Sequence, residues 1–182
     1  MKAVLLAALL LATPAAAQDH PPTMPARDVD IVYRIAGPTE QLEQRLRWGV
    51  SLGKLRVDPP TPGLFVVIDT TTHAMQAVRE GDRSVVQLDP GPIPGTALEG
   101  KFRRRGEAQI AGLACTQWET QDTGRRTVLA CLTPDGVLLQ VQADGLILLQ
   151  ATEVTFAPQP EAVFRVPADY RKVTQPVSRR RP

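Results

Sequence analysis

Net charge is the first thing this 182-residue sequence lacks: 21 Lys and Arg stand against 19 Asp and Glu, leaving +2. That near-balance excludes a dedicated nucleic-acid binder, whose affinity comes from a concentrated positive footprint. Histidine and cysteine are equally scarce, with two of each. There is no Cys-x-x-Cys, and with His20 and His73 the only histidines no metal site is read. Gly-x-Ser-x-Gly, Gly-x-Gly-x-x-Gly and phosphate-loop patterns are absent, so no cofactor and no catalytic residue is assigned. His73 closes the polar stretch Thr70-Thr71-Thr72-His73 and reads as a turn residue. Asp82, Asp122, Asp135 and Asp144 occupy turn positions that Asp favours by bonding its own backbone. The chain is read as a non-enzyme. Proline (17) and glycine (13) are plentiful, and both are costly inside helices. A single β-rich domain is the expectation.

The only long apolar run comes first. Met1-Lys2 precedes ten apolar residues, 3–12, and Thr13-Pro14-Ala15-Ala16-Ala17 follows. One positive charge, a short apolar core and an Ala-x-Ala ending make the three parts of a Sec-type signal peptide. The run falls short of the roughly 20 residues a membrane-spanning helix needs. Cleavage is expected after Ala17, and the destination is periplasmic or secreted. No transmembrane segment is read in the mature chain. Residues 18–26 then form a Pro-rich leader and residues 174–182 a basic tail, both expected to be disordered; residues 27–173 form the domain.

Within the domain, short period-two patterns alternate with turn chemistry. Val29, Ile31, Tyr33 and Ile35 share one face; Leu42, Leu46, Trp48, Val50 and Leu52 recur at even positions. Helix competes with strand over residues 40–47, and the alternation favours strand. Residues 54–57, 65–69, 75–78 and 83–88 are further strands, and residues 90–95 a rigid Pro-Gly crossing. Residues 96–100 are the best place for one helical turn acting as a lid. Residues 102–119 read as strand bent at Gly106 and Gly112. Residues 127–133, 137–143 and 146–156 complete about ten strands. Asp144-Gly145 is a two-residue hairpin signal, and Thr133-Pro134-Asp135-Gly136 an equally strong turn. A three-residue loop with Gly136 as a bulge pairs Cys131 with Leu139; a four-residue loop pairs Ala130 with Leu139. One residue of register reverses every side chain; burial of half-cystines favours the bulged form. The fold class is all-β with minor α: an antiparallel meander forming a half-barrel or barrel, with at most a short helix.

In an oxidising compartment Cys115 and Cys131 are expected to bond. Folding the chain about Thr123 sets them directly opposite across two antiparallel strands, close enough for a bridge in a non-hydrogen-bonded pair. The basic run Lys101, Arg103, Arg104 and Arg105 reads in two ways: as a patch for an anionic partner, or as charges guarding a sheet edge against aggregation. Trp48, Trp118, Phe65, Phe102 and Phe156 either line a cavity or fill the core.

Three stretches carry a family likeness: Arg47-Trp-Gly-Val-Ser-Leu-Gly-Lys-Leu-Arg-Val-Asp58, Phe65-Val-Val-Ile-Asp69 with Met75-Gln-Ala-Val78, and Phe164-Arg-Val-Pro-Ala-Asp-Tyr170. In these the chain resembles the bacterial lipoprotein-carrier group (LolA/LolB-like) over roughly residues 27–173. The resemblance implies an incomplete antiparallel barrel around a hydrophobic cavity that holds acyl chains. The sequence departs from that group in offering little helix for a lid and in carrying the two cysteines. No functional residue is carried over. The expected function is a non-catalytic periplasmic binding module holding a lipid or other hydrophobic ligand on a concave apolar face. Trp48, Val50, Phe65, Val67, Val85, Leu139, Val141 and Leu148 are the expected lining. The alternative is a protein-interaction or envelope-stress sensor domain with a filled core.

Overall fold

A computed structural model describes residues 20–89 and 98–174. The expected signal peptide and cleavage site, the crossing at 90–95 and residues 175–182 of the tail lie outside the described residues. Twelve strands form one sheet: β1 (Val29–Ala36), β2 (Gln41–Gly49), β3 (Lys54–Asp58), β4 (Leu64–Asp69), β5 (Met75–Arg79), β6 (Ser84–Leu88), β7 (Leu98–Ile110), β8 (Leu113–Asp122), β9 (Thr127–Leu132), β10 (Leu138–Ala143), β11 (Leu146–Thr155) and β12 (Arg171–Thr174). Their order is β12-β6-β5-β4-β3-β2-β1-β11-β10-β9-β8-β7. All neighbours are antiparallel except β12, which runs parallel to β6. β2 through β6 meander away from β1 on one side, and β11 back through β7 on the other.

That order forces the sheet to curl. β6 and β7 are consecutive in sequence yet ten strand spacings apart in the sheet, about 48 Å if it were flat. The ten residue steps from Leu88 to Leu98 span at most about 36 Å. Curvature closes the difference, and the inner face packs on itself. Tyr33 of β1 is buried, and its hydroxyl donates to the Leu138 carbonyl of β10 at 2.6 Å. Burial raises its pKa well above the ordinary tyrosine range. Val29, Ile31, Leu46, Trp48, Leu55, Val57 and Ile68 share its cluster with Leu139 and Val137. The sheet stays open, with β12 and β7 as its edges: the half-barrel of the two forms expected.

The outer face is sealed locally. Phe65, Val67, Val78 and Val85 form a second cluster under Phe164, Val163, Val166 and Tyr170. Phe164 belongs to the one 3₁₀ turn among the described residues, Glu161–Phe164. The Phe164-to-Tyr170 stretch is thus a cover for β4–β6, held also by the Arg83–Asp169 ion pair. Next to it Asp58 accepts from Arg56 (Nε 2.9 Å, Nη2 2.7 Å) and Arg47 (2.5 Å), while Arg56 lies 3.8 Å over the Phe65 ring and donates to the Val163 carbonyl.

Four expectations change. Residues 98–100 are strand, not a helical lid. Val50 and Leu52 leave β2 for the turn that follows it and are exposed. The bend foreseen at Gly112 is a hairpin: Ala111 (φ 49) and Gly112 (φ 77) form a two-residue loop between β7 and β8, both in the left-handed conformation of a type I′ turn. The leader, expected to be disordered, lies against the domain from His20 onward, with Pro21 and Pro25 buried.

The disulfide forms, with Cα atoms 5.5 Å apart, but not between directly opposed residues. The β8–β9 ladder is centred on Gly124 rather than Thr123, so Cys131 faces Gln117 and the bridge is diagonal. In the next turn Gly136 (φ 81) donates to the Thr133 carbonyl and supplies the expected bulge. That sets Leu138 opposite Leu132; a second irregularity at Leu139 then sets Cys131 opposite Gln140, which neither loop length foresaw. Both half-cystines are buried all the same.

Two outcomes test these assignments. Replacing both cysteines by serine is expected to lower stability by about 3 kcal/mol in urea unfolding, and an unchanged midpoint would contradict a formed bridge. For Asp58, burial pushes the carboxyl pKa up, but hydrogen bonds from Arg56 and Arg47 outweigh it and hold the pKa below its ordinary value. A depressed folded value contributes stability that is complete above the unfolded pKa of about 4 and is lost as pH falls through the folded one. Asp58→Asn should therefore cost about 1–3 kcal/mol at pH 7, with the difference from the parent shrinking below about pH 4. A pH-independent difference would contradict the ion cluster.

Candidate functional site

The cross-strand registers line up one row of side chains across half the sheet. Trp118 of β8 faces Ala130 of β9, Ala130 faces Val141 of β10, and Val141 faces Leu149 of β11. Leu149 faces Ile35 of β1, and Ile35 faces Leu42 of β2. Every member is apolar, and Ile35 sits two residues from Tyr33, on the same inner face. Most of that face is sealed, but Trp118, Val141, Leu149, Ile35 and Leu42 stay half-buried above a floor that includes the fully buried Ala130. Ala130, Leu132 and Leu138 pack as one cluster with Leu98, Phe102, Trp118, Val141 and Leu149 around it.

At the β8 end the row opens into a groove of about 490 Å³. Phe102, Trp118, Leu132 and Thr116 line it, with Arg103 and Arg104 at its rim and Pro21 and Pro22 of the leader on its far side. Phe102 and Trp118 meet edge to face, centroids 6.3 Å apart. Row and groove together make one half-open apolar tract with two guanidinium groups at its end. Among the described residues no group of three or more His, Cys, Asp or Glu is placed to hold a metal.

The eight residues expected to line one cavity are not brought together. Phe65, Val67 and Val85 lie on the outer face under Phe164. Trp48 and Leu139 are fully packed in the main core. Val50 is in the exposed turn after β2. Val141 stands in the apolar row, while its neighbour there is Leu149 rather than Leu148, because the β10–β11 ladder slips at Leu148. The missed members are Ile35, Leu42, Ala130 and Leu149. Their alternation was visible in the sequence; their alignment across strands depends on the slips.

The basic run lies on β7, one of the two edges of the sheet among the described strands. Arg105 donates to Glu119 (Nε 3.0 Å, Nη2 2.6 Å), Arg103 lies 3.5 Å from the same carboxylate, and Arg104 pairs with Glu107 at 2.6 Å. Lys101 is exposed. Three guanidinium groups are thus engaged with two carboxylates, an arrangement that marks the edge with charge. His73, with φ 58, is an exposed turn residue, and Asp69 accepts the Thr71 and Thr72 amides beside it. Asp122 likewise accepts from the Gly124 and Arg126 amides of its turn.

No family model matches the chain, and no curated protein matches it. Solved structures do. An uncharacterized conserved protein from Thermus thermophilus superposes with a TM-score of 0.62 at 18% identity, over 82% of this chain and 91% of that one. A chain of the Pseudomonas aeruginosa MucA/MucB complex superposes at 0.54 and 17%, over 81% of this chain and 58% of that one. The crystal structure of MucB gives 0.52 and 15%, over 80% and 59%. This chain therefore spans a little under three-fifths of the MucB-complex chain it matches. At these identities the likeness is one of fold alone.

Proposed function

We propose that the chain is a non-catalytic binding module of the bacterial periplasm or exterior, holding an acyl chain or similar hydrophobic ligand along the Trp118–Leu42 row. The single observation behind this reading is the row itself: an unbroken apolar line across six strands, left half-open on a face that is elsewhere sealed. A row needed only for packing would be closed over, since burying an apolar side chain contributes about 1.5–3 kcal/mol. The groove at Phe102 and Trp118 gives the ligand's end a mouth, and an anionic head there would compete with Glu119 and Glu107 for Arg103 and Arg104. Export rests on the signal-like residues 1–17 and agrees with a disulfide.

A second reading, a protein-interaction domain, is favoured by one observation: β7 offers a 13-residue free edge to a partner strand. The MucA/MucB structure is of a complex; a partner strand pairing with β7 here would have to complement the charges of Arg103, Arg104 and Arg105 along that edge.

Titration with the fluorescent fatty acid cis-parinaric acid separates the two. Saturable enhancement is expected for the parent, and Val141→Asp or Leu149→Asp should weaken it at least about tenfold by setting a carboxylate in the row. Val85→Thr, on the outer face, should leave it unchanged. No saturable enhancement with the parent would contradict the ligand-binding reading and leave the edge-binding one.

A further inference from the structure

The Pro-rich leader does not simply approach the domain; it has a seat. Pro21 is buried, and with Pro22 it walls the Phe102–Trp118 groove. The His20 ring stands edge-on to Phe102 at 4.3 Å. Further along, the Met24 carbonyl passes so close to Gly136 that a Cβ there would lie 2.1 Å from it. Ala26 donates its amide to the Asp135 carbonyl at 2.8 Å, and Arg27 grips the Asp135 carboxylate with Nε and Nη2. Arg27 also stacks 3.7 Å over Phe156. Five features of residues 20–27 (the His20 ring, the Pro21–Pro22 pair, the Met24 carbonyl, the Ala26 amide and the Arg27 guanidinium) therefore meet β7, the β9–β10 turn and the chain after β11.

We propose that residues 20–27 are a displaceable strap, the movable wall that narrows the groove at the β8 end of the apolar row. Its sequence suits that part. Three prolines among eight residues preset an extended backbone, so little freedom is lost on docking. They also remove backbone donors, so the strap is not stitched in as a strand would be; Ala26 supplies the backbone hydrogen bond that ties strap to turn. Its other holds are the burial of two small prolines, Pro21 and Pro25, the ring contacts of His20 and Arg27, and an exposed ion pair, the last of which is weak in water. A segment so attached narrows the groove when nothing competes and gives way to a ligand that needs more of the same aromatic mouth. The inference rests on the proposed function only for what the strap excludes, not for the seat itself.

The test uses Trp118 as its reporter, because the other tryptophan, Trp48, is buried in the core. In a chain lacking residues 18–26, acrylamide quenching of tryptophan fluorescence is expected to rise. A synthetic peptide of residues 20–27 added in trans should bring it back toward the parent value. In the full-length chain, Pro21→Asp should reproduce the rise while leaving the melting curve of the domain in place. The truncated chain should also bind cis-parinaric acid several-fold more tightly, with the peptide competing. Quenching that is the same with and without the leader, in both variants, would overturn the strap. Raised quenching with no probe binding in any form would uphold the strap and count against the hydrophobic-ligand reading instead.

Discussion

The pairing of β1 with β11 holds this architecture together. The chain's first described strand lies in the middle of the sheet, and on its far side sits a strand that begins more than a hundred residues later. Everything else in the ladder, apart from the short parallel strand β12, joins neighbours in sequence. Without that one seam the molecule is two local meanders, each with an apolar face and nothing to cover it. With it, the short link between β6 and β7 cannot span a flat sheet, the sheet curls, and the inner face becomes its own lid. The buried Tyr33 hydroxyl, bonded to the Leu138 carbonyl across the fold, lies in this seam and satisfies a polar group where water has been excluded.

Much of this was legible in the sequence, for a simple physical reason. Strands β1 to β6 and β9 to β11 carry period-two alternation between recognisable turns, and a local signal suffices to find a locally paired strand. What was not legible is what non-local pairing decides. The parallel addition of Arg171–Thr174 to β6 has no alternation of its own and depends on the cover formed by the residues before it. The Ala111-Gly112 hairpin was hidden because alanine is not a residue that announces φ > 0. The leader looked free because proline-rich segments give no periodic signal, whereas its order comes from a seat built by Phe102, Asp135 and Gly136.

The candidate site shows the same division. Sequence identified an apolar concave face and named Val141, yet it mixed residues from both sides of the sheet. The parity of each strand is reset by the loop before it, and single-residue slips at Leu139 and Leu148 reset it again. Phe65, Val67 and Val85 alternate as correctly as Leu46 or Leu55, but they face outward and are covered by Phe164. A pattern of apolar residues tells that a face is buried; only the register tells which face, and beside whom.

Ligand binding in this fold depends on the open half of the inner face. Native mass spectrometry of the chain, purified from periplasm without detergent and exposed to excess oleic acid, addresses it most directly. A single saturable adduct that survives transfer and leaves on denaturation is the result this account predicts. A bare mass at every oleate concentration would contradict it.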